Sequence, residues 1–204
     1  YHKEICESKL INRPIEFEDN VCYVLVGIRR AGKSYLMMQD VTQRISKGII
    51  GIEDCLYVNF EDERLSDIQA AELNILIECY QELFGNKKPY IYLDEIQNIN
   101  GWEKFVRRLA DQKYRVMVTG SNAKMLSREV ATTLGGRYVI REVFPFSYHE
   151  YLKYKGVTIP KDWEFKPDMK IDIIRHFSEY FYYGGFAEMF SLIGKREWIN
   201  GLYQ

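Results

Sequence analysis

One stretch near the start of the chain constrains the fold more than any other. The apolar run VCYVLV, from Val21 to Val26, ends at Gly27, and a second glycine, Gly32, follows across a basic loop. An amphipathic pattern begins at Lys33. Short apolar runs bounded by glycine are typical of buried strands, and apolar residues at helical spacing are typical of a helix packed on one face. The stretch therefore predicts a buried strand, a flexible loop and a helix start.

The loop matches the pattern G-x-x-x-x-G-K-[ST], which is typical of phosphate binding. Its glycines let backbone N–H groups surround an anion, the helix N-terminus adds partial positive charge, and Lys33 places an ammonium against the terminal phosphates. The hydroxyl of Ser34 would hold Mg²⁺. The alternative is a glycine turn with a solvated lysine. We assign the cofactor-binding segment to Gly27, Ile28, Arg29, Arg30, Ala31, Gly32, Lys33, Ser34 and Tyr35.

Two arginines, Arg29 and Arg30, occupy loop positions where no side chain is required. Solvent exposure, or bracing of the loop against acidic residues, is favoured over contact with the nucleotide. The acidic residues 61–63 follow a predicted strand and are one candidate partner. A solvated acidic loop is the simpler interpretation of that segment, so we leave it outside the predicted site.

The rest of the chain alternates short apolar runs with amphipathic stretches. Such alternation is typical of βαβ units and a mostly parallel sheet. We predict strands at 21–26, 55–60, 90–93, 115–119 and 138–143, and helices at 33–47, 67–84, 101–113 and 123–134. The helix at 101–113 places the apolar residues Trp102, Phe105, Val106, Leu109 and Ala110 on one face.

The pattern changes after residue 143. Ser147 and Glu150 have the spacing of a capping box, so a helix is expected to start at Ser147. A second helix is predicted at 172–183, ended by Gly184 and Gly185. We therefore expect an α/β domain over 1–145 and a small helical appendage over 146–204.

In the segment PYIYLDEIQNI, two carboxylates, Asp94 and Glu95, directly follow a second apolar run. Asp94 would bind Mg²⁺ directly or through a water, and Glu95 would polarise water for attack on the γ-phosphate. The alternative is that Asp94 caps a turn and Glu95 is solvated. With the phosphate loop upstream, the pairing favours hydrolysis over transfer to a second substrate.

The run RVMVTG ends in Ser121 and Asn122. If this strand lies between the phosphate-loop strand and the Asp94 strand, Asn122 or Ser121 points at the γ-phosphate and could sense hydrolysis. Gly-Ser-Asn is also a good turn sequence, and a turn role is the alternative for both residues.

Composition excludes several classes of protein. The net charge is −1, so there is no overall basic field for nucleic acid or an anionic membrane. The four cysteines lack metal-ligand spacing and are interpreted as reduced, mostly buried thiols of a cytoplasmic protein. No apolar run is long enough to span a membrane. The chain begins with Tyr and stops within a helical pattern, so we expect a missing region downstream.

The order of several motifs resembles a known group. GIRRAGKS, YVNFEDERL, YIYLDEIQNINGWEKFVRRL, VTGSNAKML, LGGRYVIREVFPFSYHEYL and YYGGF occur in an order similar to AAA-type P-loop ATPases. In that group the domain precedes a restriction-endonuclease-like domain of unknown function, which is absent here. The resemblance implies a P-loop sheet of strand order 5-1-4-3-2, followed by a helical or winged-helix-like lid.

The resemblance also assigns roles by motif position. Lys33 and Ser34 would be phosphate and Mg²⁺ ligands, Asp94 and Glu95 the second acidic motif, and Asn122 a sensor. Arg137 matches a recurrent arginine that could act as a sensor or as an arginine finger, in cis or across a subunit interface of a homo-oligomer. A structural ion pair is the alternative for Arg137.

Three functions follow from these observations. The leading one is Mg²⁺-dependent ATP hydrolysis to ADP, coupled to a conformational change in an attached domain or a protein partner. The second is a slow nucleotide-gated switch or binding module. The third is nucleic-acid handling through a basic face, for which an ordinary solvated face is the favoured alternative. That face would consist of Lys104, Arg107, Arg108, Lys113 and Arg115. ATP is favoured over GTP because no guanine-reading N-K-x-D motif is present.

Overall fold

Five parallel strands form one sheet in the computed structural model, which describes residues 1–7, 10–121 and 132–192 together with Lys195, Glu197 and Gly201. The spatial order is β2-β3-β4-β1-β5, and all four neighbouring pairs are parallel. The predicted order 5-1-4-3-2 is therefore confirmed, and each strand end lies within two residues of its prediction. The strands are β1 Cys22–Gly27, β2 Cys55–Asn59, β3 Tyr90–Asp94, β4 Val116–Ser121 and β5 Tyr138–Glu142.

Six α-helices have both ends within the described part of the chain. They are α1 His2–Glu7, α2 Lys33–Ser46, α3 Ile75–Phe84, α4 Trp102–Asp111, α5 Tyr148–Tyr154 and α6 Pro167–Tyr183. The predicted start of α3 at residue 67 was wrong, because the preceding residues form turns. In one of these turns the Glu72 carboxylate accepts a bond from the Gln69 N–H at 2.9 Å.

Helix α6 also differs from its prediction. It begins at Pro167, before the predicted residue 172, because proline suits the first turn, where its missing N–H costs nothing. The helix predicted at 123–134 lies largely outside the described residues. Helix α1 was not predicted.

The apolar face of α4 packs into the core as its spacing predicted. Trp102, Phe105, Val106 and Leu109 are buried and belong to the same cluster as the sheet residues Val24, Leu93 and Val118. Ala110 is partly buried against that cluster. Burial of this face stabilises α4 more than helix propensity does, because isolated helices of this length are marginal in water.

The predicted basic face loses one member. Lys104, Arg107, Arg108 and Lys113 are exposed, whereas Arg115 is buried, with 8% of its surface exposed. Its Nη1 is 3.0 Å from Asp40 Oδ2 and donates to the Tyr92 hydroxyl at 3.1 Å. Arg115 follows α4 rather than continuing it, so helical spacing does not describe where its side chain points.

Asp40 is the centre of a buried charge network that was not predicted. It accepts from Arg44 Nε at 3.1 Å and from the Tyr92 hydroxyl at 2.6 Å, in addition to its contact with Arg115. Burial, together with the charge of Asp40, raises the pKa of Tyr92 well above its usual value, so this hydroxyl stays a donor. Arg44 also pairs with Asp19. The network connects α2 to β3 and to Arg115, the residue before β4.

The cysteines are free thiols, as predicted, but only half of them are buried. Cys22 and Cys55 are buried, whereas Cys6 and Cys79 are exposed on short helices. Within the described residues, no helix is both long enough and apolar enough to cross a bilayer.

The chain divides into two compact units. The first contains residues 1–28 and 33–143, and the second contains 29–32 and 144–204. The second unit has helices and no strand among its described residues. Of the two forms expected for the lid, helical or winged-helix-like, this corresponds to the helical one. The capping box is confirmed: Glu150 Oε2 accepts from the Ser147 N–H at 2.8 Å, and Ser147 Oγ accepts from the Glu150 N–H at 3.3 Å.

Gly185 in the second unit lies against the backbone of Phe146. Its carbonyl accepts the Phe146 N–H at 2.7 Å, and a Cβ added to it would lie 1.9 Å from the Phe146 carbonyl oxygen. We expect Gly185→Ala to lower the free energy of unfolding by about 1–3 kcal/mol, measured by urea denaturation, because backbone must move to admit the methyl group. Gly201→Ala is the control, since its Cβ would meet no atom of the described residues within 4 Å. Equal midpoints for the two variants would contradict this close approach.

Candidate functional site

The loop between β1 and α2 depends on two glycines for different reasons. A Cβ on Gly27 would lie 2.2 Å from the Val143 carbonyl oxygen, so only glycine fits where β1 ends. Gly32 has φ +92°, in the region that favours glycine, and within the described part of the chain a Cβ there would meet no atom within 4 Å. Gly27 thus serves packing, whereas Gly32 serves the turn of the loop into α2.

Lys33 is the first residue of α2, and its side chain is only 4% exposed. Its Nζ donates to the carbonyl oxygens of Gly27 at 3.1 Å and Ile28 at 3.2 Å. The same nitrogen lies 3.6 Å from Glu95 Oε1. A partly buried pair interacts more strongly than an exposed one, because water screens it less. The structure therefore brings Lys33 and Glu95 together at the carboxyl edge of the sheet.

Asp94 ends β3 and is 1% exposed. The Tyr57 hydroxyl of β2 donates to its Oδ2 at 2.7 Å, and the Thr119 hydroxyl of β4 donates to its Oδ1. Burial and the charge of Asp94 raise the pKa of Tyr57, so Tyr57 remains a neutral donor. Asp94 is thus held from both neighbouring strands.

Glu95 has an unusual backbone. Its φ of 50° and ψ of 41° lie in the left-handed region, which a residue with a side chain adopts at a cost of about 1–3 kcal/mol. Its N–H donates to Thr119 Oγ1 at 2.9 Å, and its Oε2 accepts from the Gln97 side chain. The turn after β3 therefore directs Glu95 back toward Lys33 while Asp94 stays between the strands.

Sequence reasoning missed Tyr57 and Thr119. The available signal was a hydroxyl inside an otherwise apolar strand, in LYVNF and in VMVTG. Such a group is hydrogen-bonded when it is buried, so each should have been expected to have a polar partner. Which partner it has depends on strand register, which sequence patterns do not specify.

The donor set fits Mg²⁺ held together with phosphate. No group of three or more His, Cys, Asp or Glu within the described residues is arranged to hold a metal by itself. Mg²⁺ is usually held by one or two protein oxygens together with phosphate oxygens and waters. The half-buried Ser34 on α2 and Asp94 on β3 would supply such oxygens.

Arg137 does not lie near Lys33 in this chain. It precedes β5, whose first residue pairs with Cys22 at the start of β1, whereas the phosphate loop follows the end of β1. The length of β1 separates the two ends by roughly 20 Å. Arg137 pairs instead with Asp111, the last residue of α4, and donates to the Gly135 carbonyl at 3.3 Å. The structure thus contains the ion pair that was the alternative to an arginine finger.

The remaining predicted residues have mixed outcomes. Arg30 has φ +63°, and its Nη1 lies 2.7 Å from Glu188 Oε2. Both residues belong to the second unit, and their contact is a bracing contact of the kind expected for the loop arginines.

The other predicted residues differ in exposure. Ala31 is buried, whereas Ile28 and Tyr35 are exposed. Ser121 ends β4 opposite Gly27, as expected, and Asn122 lies outside the described residues. Asp62 in the acidic loop pairs with Arg64.

Comparison with known proteins identifies longer relatives. The chain is 36% identical over 185 residues to the uncharacterized protein MJ1544 of Methanocaldococcus jannaschii, covering 90% of this chain and 40% of that protein. It is 35% identical over 193 residues to an uncharacterized protein of Haemophilus influenzae, covering 91% and 44%. The chain thus spans less than half the length of these relatives.

Solved structures resemble the chain only distantly. Cdc6p from Pyrobaculum aerophilum has a TM-score of 0.44 at 12% identity, covering 65% of this chain and 41% of that one. AMPPCP-bound DnaA from Aquifex aeolicus has a TM-score of 0.41 at 12% identity, covering 98% and 63%. Likeness at this level does not bring the ligands or functions of those proteins to this chain.

A family model gives the clearest result. The model described as AAA domain matches residues 19–152, which is more than half of the chain and includes the phosphate loop, Asp94 and Glu95. The chain therefore belongs to the AAA domain family.

Proposed function

We propose that the chain binds ATP with Mg²⁺ and hydrolyses it to ADP and phosphate. The observation that carries this proposal is the convergence of Lys33, Glu95 and the buried Asp94 beside the loop at the start of α2. A cation for phosphate, a carboxylate for metal and a second carboxylate for water are the groups that phosphate-bond hydrolysis requires.

Each residue would have a separate task. The loop N–H groups and Lys33 would hold the β- and γ-phosphates, and Ser34 and Asp94 would hold the metal ion. Mg²⁺, when bound, neutralises charge that develops on the phosphate oxygens. Lys33 would turn from the Gly27 and Ile28 carbonyls to the phosphates, and Glu95 would then be released to orient and polarise the attacking water. Asn122 would sense the γ-phosphate.

A slow nucleotide-gated switch is the second candidate. It is favoured by the direct contact between Lys33 and Glu95, because each charge must leave the other before either can act on substrate. Steady-state phosphate release in the presence of Mg²⁺ discriminates between the two functions. A switch would also retain ADP or ATP through purification, whereas continuous release of phosphate supports an ATPase.

Lys33→Ala tests the nucleotide site directly. We expect the affinity for a fluorescent ATP analogue to fall about 10- to 100-fold, because a charge-assisted hydrogen bond to phosphate is lost. Equilibrium binding with Mg²⁺ is the measurement, together with a thermal unfolding curve, since Lys33 also bonds two backbone carbonyls. Lys47→Ala, an exposed lysine just after the same helix, is the control and should bind normally. Unchanged affinity in Lys33→Ala would remove the loop from this role.

We further propose that hydrolysis drives a conformational change in an attached domain or a protein partner. The support is the greater length of the relatives and the resemblance to ATPases that precede a restriction-endonuclease-like domain. Arg137 could complete the site of a neighbouring subunit in a homo-oligomer, since it lies far from Lys33 in its own chain. The cytoplasmic location suggested by the cysteines stays a prediction.

Nucleic-acid handling has less support. Of the exposed basic residues on α4, Arg107 lies 4.0 Å from Asp111, and Arg108 donates to Asn74 at 3.0 Å. With Arg115 buried, the proposed basic face is reduced to charges of an ordinary solvated helix. Salt-dependent DNA binding by this chain would restore the hypothesis.

A further inference from the structure

Thr119 is a fully buried hydroxyl that contacts both acidic residues of the proposed site. It lies in β4, is 0% exposed and follows three buried apolar residues, Val116, Met117 and Val118. Its hydroxyl donates to Asp94 Oδ1 and accepts the Glu95 N–H at 2.9 Å. One side chain therefore joins the carboxylate proposed for metal to the backbone of the carboxylate proposed for water.

Strand register explains why Thr119 can make both bonds. Leu93 of β3 pairs with Val118 of β4, so Asp94 and Thr119 follow one residue later on neighbouring strands. A β-branched side chain such as threonine has restricted χ1 rotation. The hydroxyl donates its one hydrogen to Asp94 and uses one lone pair to accept the Glu95 N–H. The position of the hydroxyl is thus determined by the sheet and not by a mobile loop.

The bond to Glu95 acts on an unfavourable backbone conformation. Glu95 adopts φ +50° without being glycine, and its N–H is held by Thr119. Without that bond the residue could relax toward commoner backbone angles, and its carboxylate would leave the position 3.6 Å from Lys33 Nζ. Loss of the Thr119 hydroxyl would at the same time free one oxygen of Asp94.

We infer that Thr119 is a positioning residue that sets the metal-binding carboxylate of Asp94 and the water-polarising carboxylate of Glu95 in one fixed relation. This inference rests on the proposed ATPase function. Tyr57, in β2, positions only Asp94: its hydroxyl donates to Asp94 Oδ2 at 2.7 Å. Thr119, in contrast, bonds both acidic residues. The two hydroxyls can therefore be separated by experiment.

The test measures how Mg²⁺ strengthens the binding of a fluorescent, non-hydrolysable ATP analogue. In Thr119→Val the Mg²⁺ concentration needed for half of this effect should rise about tenfold, because residues that orient a metal ligand typically contribute that much to metal affinity. Thr119→Ser keeps the hydroxyl and should return close to the wild-type requirement. Thr42→Val is the matched control, since its hydroxyl donates to the Met38 and Gln39 carbonyls of α2, each at 3.0 Å.

Turnover at saturating Mg²⁺ separates Thr119 from Tyr57. Tyr57→Phe should need more Mg²⁺ than wild type but should regain most of its ATP turnover once Mg²⁺ is saturating. In Thr119→Val, ATP turnover should remain slow even at saturating Mg²⁺, because Glu95 is also displaced. Thermal unfolding of each variant shows that it is folded under the assay conditions.

Two results would overturn the inference alone: an unchanged Mg²⁺ requirement in Thr119→Val, or a Thr119→Ser variant as defective as Thr119→Val. In the second case the loss would come from packing and not from the hydroxyl. Wild-type protein that binds the analogue equally well with Mg²⁺ and with a chelator would instead overturn the proposed function on which the inference rests.

Discussion

Glu95→Gln is expected to abolish most ATP turnover while ATP binding is retained. Glutamine has the shape of glutamate but cannot polarise water as a carboxylate does, and loss of a general base typically lowers the rate about 10²- to 10⁴-fold. Binding should persist because Glu95 holds neither phosphate nor metal in the proposed mechanism. The substitution also removes the ion pair with Lys33, which leaves the ammonium free to meet phosphate.

Two measurements are needed for this variant. Steady-state phosphate release reports turnover, and equilibrium binding of a fluorescent ATP analogue reports the nucleotide site. Glu82→Gln, an exposed glutamate on α3, is the control and should match wild type in both. Wild-type turnover in Glu95→Gln would exclude Glu95 as the base, whereas a combined loss of binding and turnover would point to a structural role.

Arg115→Met is expected to lower the free energy of unfolding by about 3 kcal/mol, the lower part of the range for breaking a buried ion pair. Methionine fills much of the arginine volume but leaves Asp40 with only Arg44 and Tyr92 as described partners. Arg44 is then paired with two carboxylates, the buried Asp40 and the exposed Asp19, so one of these two negative charges is no longer balanced. Arg115 also stacks near the rings of Tyr90 and Tyr92, with its guanidinium carbon 5.5 and 5.8 Å from their centroids, and those contacts are lost as well.

Equilibrium urea unfolding measures this effect. Arg107→Met is the matched control, because that arginine is 46% exposed and 4.0 Å from Asp111. Exposed pairs of this kind contribute less than about 1 kcal/mol. Adding Asp40→Asn to Arg115→Met should recover part of the loss, since Arg44 then pairs with one carboxylate, that of Asp19. If the Arg115 and Arg107 variants unfold at the same urea concentration, the network does not stabilise the fold as described.

Local patterns were sufficient for much of the fold. The strand before Gly27 and the helix from Lys33 were found because burial and helical spacing are properties of neighbouring residues. The capping box at Ser147 was found for the same reason, since its two side chains bond the backbone only three residues apart. The strand order came from the resemblance of ordered motifs, and the sheet confirms it.

Errors arose where a local pattern competed with contacts from elsewhere. Residues before Ile75 have helical spacing but form turns, and Leu73 among them is fully buried. Arg115 was grouped with exposed residues of α4 because of its charge, although Asp40 of α2 compensates that charge inside the protein. Arginine is rarely buried without such a partner. Because Asp40 is distant in sequence, the residues around Arg115 do not indicate that this partner exists.

The candidate site shows the same division. The sequence by itself determined that Lys33 follows a phosphate-type loop and that Asp94 and Glu95 end an apolar strand, because residue type and spacing define those features. Only the tertiary structure decided that Lys33 faces Glu95, that Tyr57 and Thr119 hold Asp94, and that Arg137 lies at the other end of β1. The physical reason is strand register: a hydrogen bond between neighbouring strands depends on their alignment, and residues far apart in sequence set that alignment together.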